Sequence, residues 1–540
     1  AVQTTTARVK IEAVGNIYFD ISDVNFAITN LSPNLTPYQP AGWSDKIVVS
    51  NAPGGSTDSS PLRTTDTLYV DWAVINSGVG PTGSTFFIRL LVDGVERASW
   101  VSEPPLGVNF YNYILDYQLG QLGAGTHTVK IVADSTGAVS ESNESDNEYT
   151  KTINVVAPST VQLGGAALSV SEGAGVATVT VTRGGVTSGP AAVNDVTTDA
   201  AGASNCALVS GAASSRCDYV TAVGTLNFAA NETSKAITIP VVNDSYAEGS
   251  ENLTVTLSAP SGVALGSPAA ATLTITDNDV ANGSNPLSQS GFFVGQHYLD
   301  FLNRPADSSG LAFWSNEINS CGGVQSCVDV KRINVSAAFF LSIEFQETGY
   351  LVYRAYKAAY GNLPGAPVPV TLGEFMPDTQ AIARGLVVGQ VGWQNVLEAN
   401  KQNFLNEFVQ RARFNAAYPA AMTAAQFVDT LNARAGGPLS AAERNQLVSE
   451  LAAGTRTRAQ VLRAVAEDPD LHSAETNRAF VLMQYFGYLR RNPNDAPDAD
   501  FAGYNFWLGK LNQFGGNFVN AEMVKAFITS TEYRTRFGPN

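Results

Sequence analysis

The sequence predicts a multidomain β + α chain, with two β-sandwiches followed by a mainly α-helical C-terminal region. Three observations carry this. From about residue 45 to 280, apolar and polar residues alternate in short runs separated by Gly- and Asn-bearing turns. Beyond VANGSNPLSQSG (280–291) the spacing changes to the Ala/Phe/Leu periodicity of helices. A chain of 540 residues also exceeds one ordinary core. The expected divisions are a strand segment over 1–44, sandwiches over 45–157 and 158–280, a linker over 281–291 and a helical domain over 292–540.

Charged residues make up only 15% of the chain, yet Asp and Glu outnumber Lys and Arg by 48 to 32. With no cluster of basic residues to neutralise phosphates, nucleic acid is not an expected partner. The Gly-rich, low-charge composition points to a secreted β-rich protein. No stretch approaches the ~18 uninterrupted apolar residues of a membrane helix. AVQTTTARVK lacks the charged-then-apolar plan of a signal peptide, so a processed, secreted chain is expected.

Over 1–44, Val9, Ile11 and Ala13 alternate along VKIEAV, and IYFDISDVNFAIT follows before Pro33, Pro37 and Pro40 break the pattern. The piece is too short to stand alone. It either extends the next sandwich or serves as an assembly arm seeking a sheet on a neighbouring molecule.

In 45–157, IVVS, LYVDWAVINSG, FFIRLLVDGV, THTVKIVAD and YTKTINVV read as strands, and the Asp93-Gly94 pair as a tight hairpin. ESNESDN is expected to be a solvated turn rather than a metal loop. The ordered set VDWAVINSG (70–78), LLVDGV (90–95), GAGTHTVKIVAD (123–134) and ESNESDNEYT (141–150) resembles the bacterial cell-adhesion-related (CARDB) domain. That resemblance implies an immunoglobulin-like sandwich used as a surface spacer or binding module, without catalysis.

In 158–280, acidic residues gather at the ends of strands: Asp244, Glu248 and Glu251 in one loop and Asp277, Asn278 and Asp279 after the last strand, with Glu172 and Asp218 upstream. Calcium takes six to eight oxygen donors at about 2.3–2.6 Å, which carboxylates on several loops can supply. VSEGAGVATVTVTR (170–183), CDY (217–219), GTLNFAANETSKAITIPVVND (224–244), EGSENLTVTLS (248–258) and TITDND (274–279) together resemble a Calx-beta domain. The resemblance implies calcium as the cofactor and Glu172, Asp218, Asp244, Glu248, Glu251, Asp277 and Asp279 as its ligands. Asn278 departs from a continuous aspartate run, and ASNCALVSGAASSRC is a local expansion before Asp218.

The four cysteines form two close pairs, Cys206 with Cys217 and Cys321 with Cys327. Pairing within each loop is the simplest of three connectivities, and such bridges persist in oxidising compartments. No histidine has zinc-ligand spacing to them.

Residues 292–540 read as helices, with Thr423 and Ser440 as N-caps and Glu443 completing a capping box. A repeat runs through this region. YLDFLNRPADSSGLAFW (298–314) is echoed by YFGYLRRNP (485–493) and DFAGYNFW (500–507), each copy followed by Gly-Gly and a Ser-x-Glu-aromatic end. The pattern resembles the bacterial domain of unknown function numbered 4214, which implies a secreted bacterial protein. The Arg304/Asp307 and Arg491/Asp500 turns are expected to cap helices, with Phe313, Trp314, Phe506 and Trp507 filling the core. NPNDAPDAD is a secondary candidate for holding a cation.

His127, His297 and His472 are the only histidines, and neither a nucleophile elbow nor a phosphate loop is present, so no enzyme activity is expected. The sequence therefore points to a calcium-stabilised structural or adhesion protein at the bacterial surface, self-associating through 1–44 into a filament or layer. The alternative is a glycan- or protein-binding module using the aromatic-rich helical region.

Overall fold

The computed structural model describes residues 4–12, 14, 19–28, 31–199 and 206–540. The chain forms two compact units, residues 1–160 with 184–188, and residues 161–183 with 189–540.

In the first unit, two sheets enclose a core. One has the strand order Val95–Ser102, Phe86–Val92, Gly125–Val132, Glu148–Val156, Leu62–Arg63. The other is built on Leu68–Asn76, paired on one side with Tyr111–Gly120 and on the other with Leu35–Tyr38 and Ile47–Ser50. Phe86, Ile88, Leu90 and Val92 point inward by the two-residue period and pack in the same core as Trp72. Asp93 and Gly94 turn the hairpin with φ of 52° and 78°, the mirror-image turn that matches strand twist.

The sandwich begins earlier than residue 45. Leu35 is buried in its core, and Pro37 is accommodated because Leu35–Tyr38 is an edge strand, where a missing N–H costs no ladder bond. The ESNESDN loop is exposed over residues 142–145, as expected of a solvated turn, while its two ends are bonded to the sandwich. Glu141 accepts hydrogen bonds from the Leu35 amide and from Asn147, and Asp146 accepts from Asn34. Burial lifts the Glu141 carboxyl to about 7. Ahead of the sandwich, Thr4–Ala7 pairs with Phe26–Ile28 and Lys10–Glu12 with Phe19–Ile21, two-stranded ladders that leave Val9, Ile11, Ile21, Val24 and Phe26 exposed.

The second unit joins the other sandwich to the helices. Its four-stranded sheet runs Ser234–Pro240, Val176–Gly184, Thr160–Leu163, Ala264–Leu265. The five-stranded sheet runs Ala167–Ser171, Ala270–Thr276, Glu251–Ser261, Ala191–Thr198, Val223–Phe228. Val161, Val179, Val193, Ile239, Val255 and Leu273 fill the space between them. Ala167–Ser171 lies parallel to its neighbour Ala270–Thr276, with Ser171 opposite Thr276.

The helices share one apolar cluster that includes Val242 from the sandwich and Leu287. The stretch expected as a linker is thus packed, with Asn285 and Leu287 buried and a helix starting at Ser290. Capping boxes close the N-termini at Thr371, Thr423, Ser440 and Thr457. Asp307 caps Ser308–Asn319 as expected. Arg491 pairs with Asp498 and Glu532, Asp495 accepts from Asn492, and Asp500 accepts from the Ala502 amide at the start of the helix Ala502–Gln513, so the three carboxylates of NPNDAPDAD are engaged. Phe313 and Phe506 are 58% and 61% exposed, contrary to expectation. Consecutive helical residues project about 100° apart, so when Trp314 and Trp507 turn toward the core their neighbours face outward.

Candidate metal centre

Sheet register assembles the acidic residues. Because Ser171 pairs with Thr276, Glu172 and Asp277 emerge side by side as each strand ends. Glu251, opposite Ile275, enters from the antiparallel neighbour. Asp218 arrives through the Tyr219–Val241 bridge, and Ala212 pairs with Asn252 beside it.

Two trios of carboxylates result. In each of Glu172/Asp277/Asp279 and Asp218/Glu248/Glu251, one oxygen from every member lies within 4.8 Å of the others. Asp244 joins neither trio but lies in the field of Glu172, Asp218 and Asp279. Backbone amides orient the group: Asp244 N donates to Glu172 at 2.6 Å, Tyr246 N to Asp244 at 2.7 Å, and Glu248 and Gly249 N to Asp277 at 2.8 and 2.7 Å. Asn278 donates its side-chain amide to Asn243 Oδ1 at 2.9 Å.

None of the seven carboxylates has a Lys, Arg or His ion-pair partner among the described residues. Burial, reinforced by the neighbouring negative charges, raises Glu172 to about 7, Asp244 to about 8 and Glu248 to about 10. Asp218 and Glu251, which share a hydrogen bond, are both raised, mainly by burial, and Asp279 is raised by burial and then by Asp277. Buried carboxylates are otherwise paired or metal-bound, so this hard-oxygen donor set without counter-charge fits calcium.

The Cys206–Cys217 bridge, with Cα atoms 5.8 Å apart, closes the loop that ends one residue before Asp218. Cys321 and Cys327 form the second bridge. Asp199 has no motif to announce it, yet it accepts from Tyr219 Oη and Ser215 N at 2.7 Å and raises the neighbouring Asp218.

The same loops hold the C-terminal segment. Ser245 N donates to Phe537 O at 3.1 Å and Tyr246 Oη to Thr535 O at 3.2 Å. Arg216 pairs with Glu532 at 2.8 Å, and Arg536 Nε donates to Arg216 O at 2.8 Å. The histidines lie elsewhere. His297 is fully buried between Phe293 O and Ser336 Oγ, where burial lowers it to about 4, and His127 pairs with Asp93 at 2.7 Å.

A family model described as the Calx-beta domain matches residues 156–279. No curated protein sequence matches the chain. Among solved structures, the chain is similar to the apo-form Calx CBD1 domain, at 29% identity over 23% of this chain and 99% of that one, TM-score 0.20. It is also similar to the calcium binding domain CBD12 of CALX1.1, at 29% identity over 22% of this chain and 45% of that one, TM-score 0.19. A CARDB domain from Pyrococcus furiosus, crystallised in complex with di-metal ions, is 19% identical over 24% of this chain and 97% of that one, TM-score 0.18. The likeness of 292–540 to the domain numbered 4214 rests on its motifs alone.

Proposed function

We propose that the chain is a non-catalytic extracellular adhesion or structural protein of the bacterial surface, in which calcium bound at the second sandwich holds the helical region against it. The observation that carries this reading is the shared loops: Ser245 and Tyr246 follow Asp244, Arg216 lies two residues before Asp218, and all three contact the segment from Glu532 to Phe537. A cation that neutralises the carboxylates orders those loops and hence the docking surface. Binding to the folded form adds RT ln(1 + [L]/Kd), about 2.7 kcal/mol at a hundredfold excess over Kd.

Two disulfides support an oxidising, extracellular location. No helix among the described residues is long and apolar enough to cross a membrane. Self-association through 1–44 is supported by the exposed apolar residues of the N-terminal ladders and by the open edge strand Tyr111–Gly120, where Tyr111, Tyr113 and Leu115 are exposed. Melting the full chain in calcium and in chelator tests the central reading, since equal melts contradict it. A second reading, ligand binding by the helical region, is favoured by a pair of matching clefts.

A further inference from the structure

The repeat in the helical region builds one cleft twice. In the first copy Arg304 Nε and Nη2 donate to Glu344 at 2.8 and 2.9 Å; in the second Arg491 Nε and Nη2 donate to Glu532 at 2.6 and 3.0 Å. Each guanidinium covers a tyrosine ring, Tyr298 at 5.1 Å and Tyr485 at 5.3 Å. Each cleft has an aromatic wall: Phe313 and Trp314, at 79° to each other, line the first, and Trp507, at 76° to Phe506, lines the second. The open volumes beside these walls are about 590 and 280 Å³.

The tyrosines are the informative residues. Tyr298 and Tyr485 are only 5% and 3% exposed, and both line their clefts. Neither phenol hydroxyl has a hydrogen-bond partner among the described residues. Space for each hydroxyl depends on a glycine: a Cβ at Gly310 would stand 2.0 Å from Tyr298 Oη, and one at Gly503 2.7 Å from Tyr485 Oη. Both repeats thus keep a glycine where any side chain would crowd the hydroxyl.

An apolar side chain seated in either cleft would cover the phenol hydroxyl without bonding it, which is unfavourable. An anion would meet Asp307 or Asp498 on the rim, while each arginine is already neutralised by its glutamate. A sugar ring satisfies both conditions, because one face is C–H and packs on aromatic edges while its rim supplies hydroxyls.

We propose that these clefts are two related binding sites for neutral saccharide rings, with Tyr298 and Tyr485 hydrogen-bonding the sugar and Phe313/Trp314 in the first cleft and Trp507 in the second packing on it. Two sites on one module give avidity toward a repeating polysaccharide. The proposal specifies the ligand-binding reading and is independent of calcium binding.

The test presents the full chain, in calcium and in chelator, to an array of immobilised neutral oligosaccharides and to a peptide array, with hits titrated by tryptophan fluorescence. Saturable oligosaccharide binding is expected. Tyr298→Phe with Tyr485→Phe, which keeps both rings, should weaken it by about tenfold or more. Phe313→Ala, at an exposed position lining the first cleft, should weaken binding there while leaving the melt in place. Binding to no oligosaccharide, to peptides only, or with affinity unchanged in both variants overturns the proposal. Loss of calcium stabilisation with saccharide binding retained would strike only the calcium reading.

Discussion

Ser171 and Thr276 pair in parallel register, and this one relationship sets Glu172 beside Asp277 although 104 residues separate Ser171 from Thr276 (276 − 171 − 1). The second trio follows from the same sheet, through Glu251 opposite Ile275. The candidate metal centre is thereby assembled by strand pairing rather than by any contiguous loop.

The raised carboxyls fix the sign of the pH dependence. Glu172, Asp244 and Glu248 titrate near 7, 8 and 10 when folded, above their ordinary values, so without metal the folded state binds more protons than the unfolded one. Their stabilising contribution is complete below the ordinary carboxylate range and is lost as pH rises through the folded values. Melts in chelator should therefore fall between pH 6 and pH 9, while the gain from calcium should grow over the same range as the ion displaces protons. Calorimetry at the two pH values checks both trends.

Arg216→Ala should loosen the helical region from the sandwich. Glu532 keeps Arg491 as a partner, so the loss is that of one partly buried charged hydrogen bond, about 1.5–3 kcal/mol. The expected signature is a smaller calcium-dependent rise in the helical transition, read by the far-ultraviolet helical signal, with calcium affinity nearly unchanged.

Cys206→Ser with Cys217→Ser should cost about 3 kcal/mol in the chain-entropy account for so short a loop. Because Asp218 follows Cys217 directly, calcium affinity should fall as well. Titration calorimetry of the variant, at a temperature where circular dichroism shows it folded, separates the two effects.

Removal of residues 1–31 should leave the first sandwich folded, since its edge strand begins at Leu35, and should abolish self-association. Sedimentation and electron microscopy of the full and shortened chains check this, and unchanged assembly would remove the arm from the account.

Much of this was legible in the sequence because it is local. The alternation of Phe86, Ile88, Leu90 and Val92 marks a strand with one buried face, and Thr423 and Ser440 announce helix starts through capping chemistry. Acidic residues at strand ends pointed to the site. What escaped detection depends on long-range pairing or on side-chain direction. Nothing near Ser245 signals that Phe537 will accept its hydrogen bonds, and nothing near Asp199 signals its approach to Asp218. The proline at position 37 reads as a strand breaker until its place at a sheet edge is known. Phe313 and Phe506 look like core residues in a string of aromatics, and only the rotation of their helices turns them outward.

The central claim is that calcium at the two carboxylate trios stabilises the second sandwich together with the docked helices. Thermal melts of the full chain in millimolar calcium and in chelator test it most directly, beside an Asp277→Ala, Asp279→Ala variant. Stabilisation of about 2–3 kcal/mol, a rise of several degrees for a unit of this size, is predicted for the natural chain. In the variant the two melts should draw together. Coincident melts in the natural chain would contradict the account.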